Sequence, residues 1–238
     1  MKKIILVALL ILVNFQVFSQ SEIKSSTSEG YTGVGLSFVF FTNKDVWNIY
    51  PFLDISNTSF VTEVTPYIGY KFSKTVSLEF APGFLMNRSY SKNGFFFTNE
   101  SGIRQYYVPQ NVTLVAIPVN ARAKIFPFAK NAMISDFVSG LYCGSGLGIM
   151  FIGESYDNFI YADDISLTPI GAKISKKNSW VFNSQVFVGF EFQSRLGLGV
   201  EIGYRIVPTN NERKVAVVSD IAPNMSYFYL NFKGRLGF

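Results

Sequence analysis

The sequence predicts an all-β fold, a closed up-and-down antiparallel transmembrane β-barrel of about eight strands. Three observations carry this expectation. Beyond residue 30, apolar residues recur with period two, the strand period, and not with the 3.6 of a helix. Charged residues make up only 16% of the 238-residue chain, against roughly 25% in soluble domains, while aromatics reach 17% with 25 Phe. The connections between alternating segments are long and short in strict turn, which is the plan of bacterial outer-membrane barrels.

The first 19 residues read as a signal peptide. Met1-Lys2-Lys3 is a basic start, residues 4–13 are an apolar run, and Val17-Phe18-Ser19 precede Gln20. The run is shorter than the roughly 20 residues a spanning helix needs; a retained anchor helix is the alternative. No Cys follows it, so lipoprotein processing is not expected. Residues 20–30 form a short polar periplasmic segment, and residues 31–238 the barrel domain. The net charge is +5, of which Lys2 and Lys3 supply two, too weak a bias for a nucleic-acid partner. Cys143 is the only cysteine and sits in an alternating strand, where it serves as a small apolar residue.

The first strand, residues 31–41, puts Val34, Leu36, Phe38 and Phe40 on one face and Gly33, Gly35 and Ser37 on the other. A hairpin centred on Lys74 joins the second and third strands. It sets Phe72 against Val76, Tyr70 against Leu78 and Ile68 against Phe80, with Lys71–Ser77 and Gly69–Glu79 on the opposite face. The fourth strand, residues 112–126, opposes Val115, Ile117, Val119, Ala121, Ala123 and Ile125 to Asn120, Arg122 and Lys124. The fifth, residues 137–152, opposes Leu141, Cys143, Leu147, Ile149 and Phe151 to Gly140, Gly144, Gly146 and Gly148. A second hairpin around Gln193-Ser194-Arg195 pairs Phe192 with Leu196, Phe190 with Leu198, Val188 with Val200 and Val186 with Ile202; Glu191 meets Gly197 and Gly189 meets Gly199. The eighth strand alternates Phe228, Leu230, Phe232, Leu236 and Phe238 with Tyr229, Asn231, Lys233 and Arg235. Long connections are expected at residues 42–63, 91–111, 153–178 and 208–224. Pro66, Pro82 and Pro118 fall inside strands, and Pro66 lies opposite Pro82, so a bulge or break is expected there.

Volume decides which face is inside. Eight strands leave an interior just wide enough for side chains. Packing the Phe, Leu, Ile and Val face inward would overfill it, whereas the Gly, Ser, Asn and charged face fits, leaving the bulky face for outer-membrane lipid. Aromatics then gather at two rims: Tyr70, Phe72, Phe190, Phe192 and Phe238 at the periplasmic one, Phe40, Trp180 and Tyr204 at the outer one.

With its signal peptide, about eight strands, Ile117-Pro118-Val119 opening a mid-chain strand and a C-terminal Leu236-Gly237-Phe238, residues 31–238 resemble the PorT-like outer-membrane β-barrel proteins of Bacteroidota. Asn120-Ala121-Arg122 departs from the apolar run that would follow in that family. The resemblance implies location in the cell outer membrane and, for Leu236 and Phe238, the signal read by the barrel-assembly machinery; some members take part in protein secretion.

The chain has no histidine, which removes Ser-His-Asp and Cys-His nucleophilic sites and histidine metal sites. A Ser-Lys or carboxylate-only enzyme stays open, but nothing in the sequence marks one, and no enzyme, cofactor or metal is expected. The glycines of residues 144–148 recur every second position with no helix after them, so they are strand positions and not a phosphate loop. The inward charges are Lys71, Glu79, Arg122, Lys124, Glu191, Glu201, Arg205, Lys233 and Arg235, mostly in the periplasmic half of the lumen; paired with one another, they plug and fix the barrel. A selectivity or proton path is the rival reading. Asp163-Asp164, with Glu154 and Asp157, are expected as solvated loop charge rather than a cation site. Phe95, Phe96, Phe97, Tyr106 and Tyr107, with Tyr90, make the second loop unusually aromatic, for packing over the barrel mouth or for a protein partner. The expected role is a structural or interaction scaffold; the alternatives are a transport barrel for small solutes or a hydrophobic ligand, and a soluble periplasmic ligand-binding barrel.

Overall fold

The computed structural model of the chain describes residues 29–43, 46–47, 50–54, 59–89, 95–98, 101–129, 136–192, 196–209 and 224–238. The expected signal segment, Tyr90 and the 193–195 turn lie outside the described residues. In chain order the strands are β1 (Glu29–Phe41), β2 (Leu53–Asp54), β3 (Ser59–Phe60), β4 (Thr62–Ser73), β5 (Val76–Pro82), β6 (Phe84–Ser89), β7 (Phe95–Thr98), β8 (Arg104–Ile125), β9 (Leu141–Tyr161), β10 (Gly171–Glu191), β11 (Leu196–Ile206) and β12 (Tyr227–Gly237). A single helical turn, Asp136–Ser139, occupies the start expected of the fifth strand.

β5 and β6 are one stave interrupted at Gly83, so the sheet has eight staves, all antiparallel: β1, β4, β5/β6, β8, β9, β10, β11 and β12. β1 pairs with both β4 and β12, which closes the barrel. The fold class read from the sequence is the one observed. Closure pairs the staves' backbone groups with one another, a requirement where no water reaches them.

The staves differ in height. β1, β4, β11 and β12 have 13, 12, 11 and 11 residues, whereas β8, β9 and β10 have 22, 21 and 21. A tilted spanning strand needs about 9–11 residues. The three long strands, with β7 paired to the start of β8, therefore stand above the rest as a raised sheet. This corrects the expected connections at 91–111 and 153–178, much of which is strand; only residues 162–170 join β9 to β10. Stretches such as Gly153-Glu154-Ser155 and Ser175-Lys176-Lys177-Asn178 carry no apolar alternation, which is why they do not read as strands.

The Lys74 hairpin keeps the expected pairs Ile68–Phe80, Gly69–Glu79, Tyr70–Leu78 and Lys71–Ser77, but a bulge between Lys71 and Ser73 replaces Phe72–Val76 by Ser73–Val76. The second hairpin is shifted by two: Phe190 pairs with Val200, Val188 with Ile202, Gly189 with Glu201 and Glu191 with Gly199. A slip of two preserves every inside and outside assignment, so alternation cannot detect it. At the prolines the stave breaks without losing register, since Ile68–Phe80 below and Val64–Phe84 above belong to one alignment. The Gly83 amide donates to the Pro118 carbonyl at 2.7 Å, so the neighbouring position, Pro82, turns its nitrogen toward Pro66, where neither residue has an N–H to give.

The faces sort as volume requires. Phe80 and Phe232 are 52% and 47% exposed on the outside, while Glu79 and Glu201 are 3% and 0% exposed inside. Inward glycines serve as sockets for rings. Tyr31, Tyr67, Tyr142, Phe187 and Tyr229 lie directly across from Gly69, Gly33, Gly189, Gly144 and Gly203, and a Cβ on each glycine would come within 2.3–2.6 Å of its partner ring or its hydroxyl. One expectation needs correcting: the lumen is not small and polar throughout. Toward the loop end Val39, Phe41, Val61, Leu85, Val112, Leu114, Met150, Ile152 and Val207 point inward and pack as an apolar core. The first loop covers this end, and its Val46 and Tyr50 join that core.

The sockets give a direct prediction. Gly203→Val should destabilise the barrel by about 1–3 kcal/mol through overpacking against the Tyr229 ring. Gly102→Ala, at a loop glycine with open space but φ of 78°, should lose less than Gly203→Val. Urea midpoints of the folded-to-unfolded gel shift compare the two.

Candidate functional site

The site is the lumen of the turn end, where β5, β8, β10, β11 and β12 each place charged side chains at inward positions. Glu79 sits at its centre. Its carboxylate meets Lys124 Nζ at 2.6 Å, Lys233 Nζ at 3.4 Å and Arg122 Nη1 at 3.6 Å, and accepts from the Tyr31 hydroxyl at 3.2 Å. Glu201 takes Arg122 Nη2 at 2.5 Å and Lys233 at 3.6 Å, and accepts from Tyr142 at 2.9 Å and Tyr229 at 3.1 Å. Glu191 joins Lys124 at 2.8 Å to Arg235 at 3.0 Å. Every one of these ions is shielded from solvent by the barrel wall.

Attraction in a dry interior offsets desolvation only when geometry is close and each charge has several partners. Here aromatic rings supply part of the solvation. The Arg122 guanidinium lies 4.1 Å from the Phe187 ring centre, Lys233 4.4 Å from Tyr67, Lys124 4.5 Å from Tyr142 and Arg235 4.9 Å from Tyr31. All four rings are among the five seated on glycines, so one set of residues both fills the wall and cushions the cations.

Nearer the loop end a second group forms. Arg205 Nη1 bonds the Glu63 carboxylate at 2.9 Å, donates to the Tyr227 hydroxyl, and its Nη2 reaches Gln185 at 3.3 Å; Tyr227 also donates to Glu63 at 2.7 Å. Asn120, Asn183 and Asn231 are buried in the same barrel interior. Above them the apolar core begins, and the Tyr50 hydroxyl reaches the buried Glu154 at 3.4 Å.

Of the expected lumen charges, Glu79, Arg122, Lys124, Glu191, Glu201, Lys233 and Arg235 come together in the first group, and Arg205 stands apart in the second. Lys71 sits half-buried at the turn end, 5.0 Å from the Phe126 ring. Glu63 was missed because residues 42–63 read as a loop; extending the alternation back from Lys71 through Gly69, Tyr67 and Thr65 reaches it. The expected solvated acids do not converge: Glu154 is buried inward, Asp157 faces outward, and Asp163 closes the β9–β10 tip. Among the described residues no three His, Cys, Asp or Glu side chains gather as a metal site. Cys143 is on the outward face. Leu236 is half-buried on β12, and Phe238 is 70% exposed, its amide donating to the Gly30 carbonyl at 2.9 Å. On the raised sheet, Phe95, Phe96 and Phe97 lie on β7, opposite Tyr107, Tyr106 and Gln105, and Tyr107 is buried.

Three solved barrels are similar in architecture. Neisserial surface protein A is 11% identical with a TM-score of 0.46, covering 90% of this chain and 100% of that one. CarO2 of Acinetobacter baumannii is 11% identical with a TM-score of 0.37, covering 88% and 99%. The N-terminal β-barrel domain of Pseudomonas aeruginosa OprF is 8% identical with a TM-score of 0.35, covering 90% and 100%. Similarity at this level carries no functional argument. No family model matches the chain, the expected PorT-like family included, and no curated protein matches it.

Two outcomes test the geometry. Glu79→Gln strips the carboxylate shared by Lys124, Lys233 and Arg122 and should destabilise the folded barrel by about 3–5 kcal/mol, whereas Glu79→Leu with Lys124→Leu, removing an ion pair together, should lose less. The measurement is the urea midpoint of each variant. At the β9–β10 tip, the Ser166 hydroxyl and the Ser166 and Ile165 amides donate to Asp163 and hold its carboxyl below the ordinary range. That ordering is complete above the unfolded titration and lost as pH falls through the lowered one. The Ser166 amide resonance should therefore stay fixed until the pH is below about 4.

Proposed function

We propose that the chain is an integral outer-membrane barrel with no open conduit, serving as a structural and interaction scaffold. One observation carries the reading: an apolar exterior surrounds a lumen into which the described residues point paired ions and amides at the turn end and an apolar core at the loop end. Lipid wants the first feature, and a filled lumen leaves no water path for solutes or catalysis. The turn end faces the periplasm and the loop end faces out, so the raised sheet β7–β10 is offered to the exterior, where Tyr106 and the strand bearing Phe95, Phe96 and Phe97 contact a protein partner. Export by the N-terminal signal segment, and recognition of Leu236 and Phe238 by the barrel-assembly machinery, complete the reading. Kinship with PorT-like proteins rests on the short motifs quoted above, and with it any role in secretion.

The test combines two readouts on the purified, refolded protein. Unboiled samples should migrate differently from boiled ones on a denaturing gel, and planar bilayers holding the folded form should show no conductance above the bare membrane. Stable conductance steps would establish a transport barrel instead. Complete release from membranes by carbonate would establish a soluble one.

A further inference from the structure

Around the barrel wall the outward face of the described residues is mostly apolar, and charge enters it at one place. Immediately above the apolar band, Arg88 on β6, Thr113 on β8, Ser155 on β9 and Lys176 on β10 form a single cross-strand row. The rung beneath it is Met86, Val115, Gly153 and Asn178, and beneath that Phe151 and Trp180 pack side by side, their ring centres 5.2 Å apart and their planes tilted by 59°. Elsewhere around the barrel the corresponding rim positions are Phe40, Thr62, Tyr204, Ile206 and Phe228, none of them charged.

This patch is shaped as well as charged. Gly153 leaves a recess between Val115 and Asn178, where a Cβ would meet the Asn178 amide oxygen at 3.1 Å and the Phe151 ring at 3.4 Å. Trp180, 68% exposed, forms a flat ledge below it. Arg88 is steered across the sheet by its bond to Asn111 Oδ1 at 3.2 Å. Arg88 and Lys176 stand three strand spacings apart, about 14 Å, with only hydroxyls between them. Asp157 lies one rung higher, diagonal to Lys176.

We propose that this row binds a phosphorylated glycolipid of the outer leaflet. Trp180 stacks on a sugar face, the recess at Gly153 and the Asn178 amide take the sugar edge, and Arg88 and Lys176 each take a phosphate at one end of the headgroup. The acyl chains then run down over Met86 and Phe151 in the apolar band. Position argues for a lipid: cations at the edge of the hydrocarbon layer meet headgroup phosphates and little else. The aromatic ledge and the recess argue for a sugar-bearing headgroup over a plain anionic one.

The inference rests on the membrane reading, and the experiment separates the two. With Trp47→Phe, Trp180 is the only tryptophan, and its fluorescence in zwitterionic micelles reports headgroup contact. Titration with lipid A should give a saturable shift, while dephosphorylated lipid A, phosphatidylglycerol and inorganic phosphate should not. Losing about fivefold per cation, R88A/K176A should bind lipid A about 25-fold more weakly, and D157N should bind it more tightly. All these side chains face outward, so the gel shift should be retained. Equal response to phosphatidylglycerol, saturation by inorganic phosphate, or an unchanged R88A/K176A would each overturn the glycolipid site while a retained gel shift leaves the barrel reading standing. Absence of the gel shift in the parent protein would defeat the membrane reading and this inference with it.

Discussion

The constraint on which the rest depends is the width of an eight-stranded lumen. It is just wide enough for side chains, and side chains must fill it. The chain fills it with Glu79, Glu191 and Glu201 against Arg122, Lys124, Lys233 and Arg235, held in contacts as short as 2.5 Å and cushioned by Tyr31, Tyr67, Tyr142 and Phe187. A buried ion pair gives little net stability over an apolar equivalent, but strongly penalises any arrangement that separates it. In a barrel, that penalty falls on slipped registers and on inverted faces. The network specifies the fold more than it strengthens it.

The glycines belong to the same logic. Gly33, Gly69, Gly144, Gly189 and Gly203 each face a ring across the strand pair, and over Gly69, Gly189 and Gly203 that ring is a tyrosine whose hydroxyl donates to a carboxylate in the centre. Tyr142 and Tyr229 both do so to Glu201. Side-chain area missing at one position is supplied by its partner, and the ionic core gains neutral donors without added charge.

Much of this was legible in the sequence, because period two is enforced wherever one face meets lipid. The inside and outside assignments of Phe80, Phe232, Glu79 and Glu201 follow from it directly. What it cannot carry are relations that leave parity unchanged. The two-residue shift between β10 and β11 moves Phe190 from Leu198 to Val200 on the same face. Nor does it mark strands that continue past the apolar band: β8 to β10 run far into stretches where Lys176, Ser155 and Asn111 share an outward face with no hydrocarbon to select against them. Glu63 was lost for the opposite reason, as an inward charge at the end of a strand whose apolar partner positions are interrupted by Pro66. The apolar core at the loop end was hidden because Val39, Leu114 and Ile152 read as ordinary members of greasy strands.

Those last residues allow the most direct test of the central claim, since they differ from the lipid-facing leucines and isoleucines in side of the wall and not in chemistry. Nuclear Overhauser contacts between lipid acyl protons and methyl groups of the refolded barrel in a nanodisc should reach Leu198 and Ile202, and should not reach Leu114 and Ile152. Acyl contacts to Leu114 and Ile152, with Leu198 and Ile202 silent, would mean that the wall is turned inside out and the account is wrong.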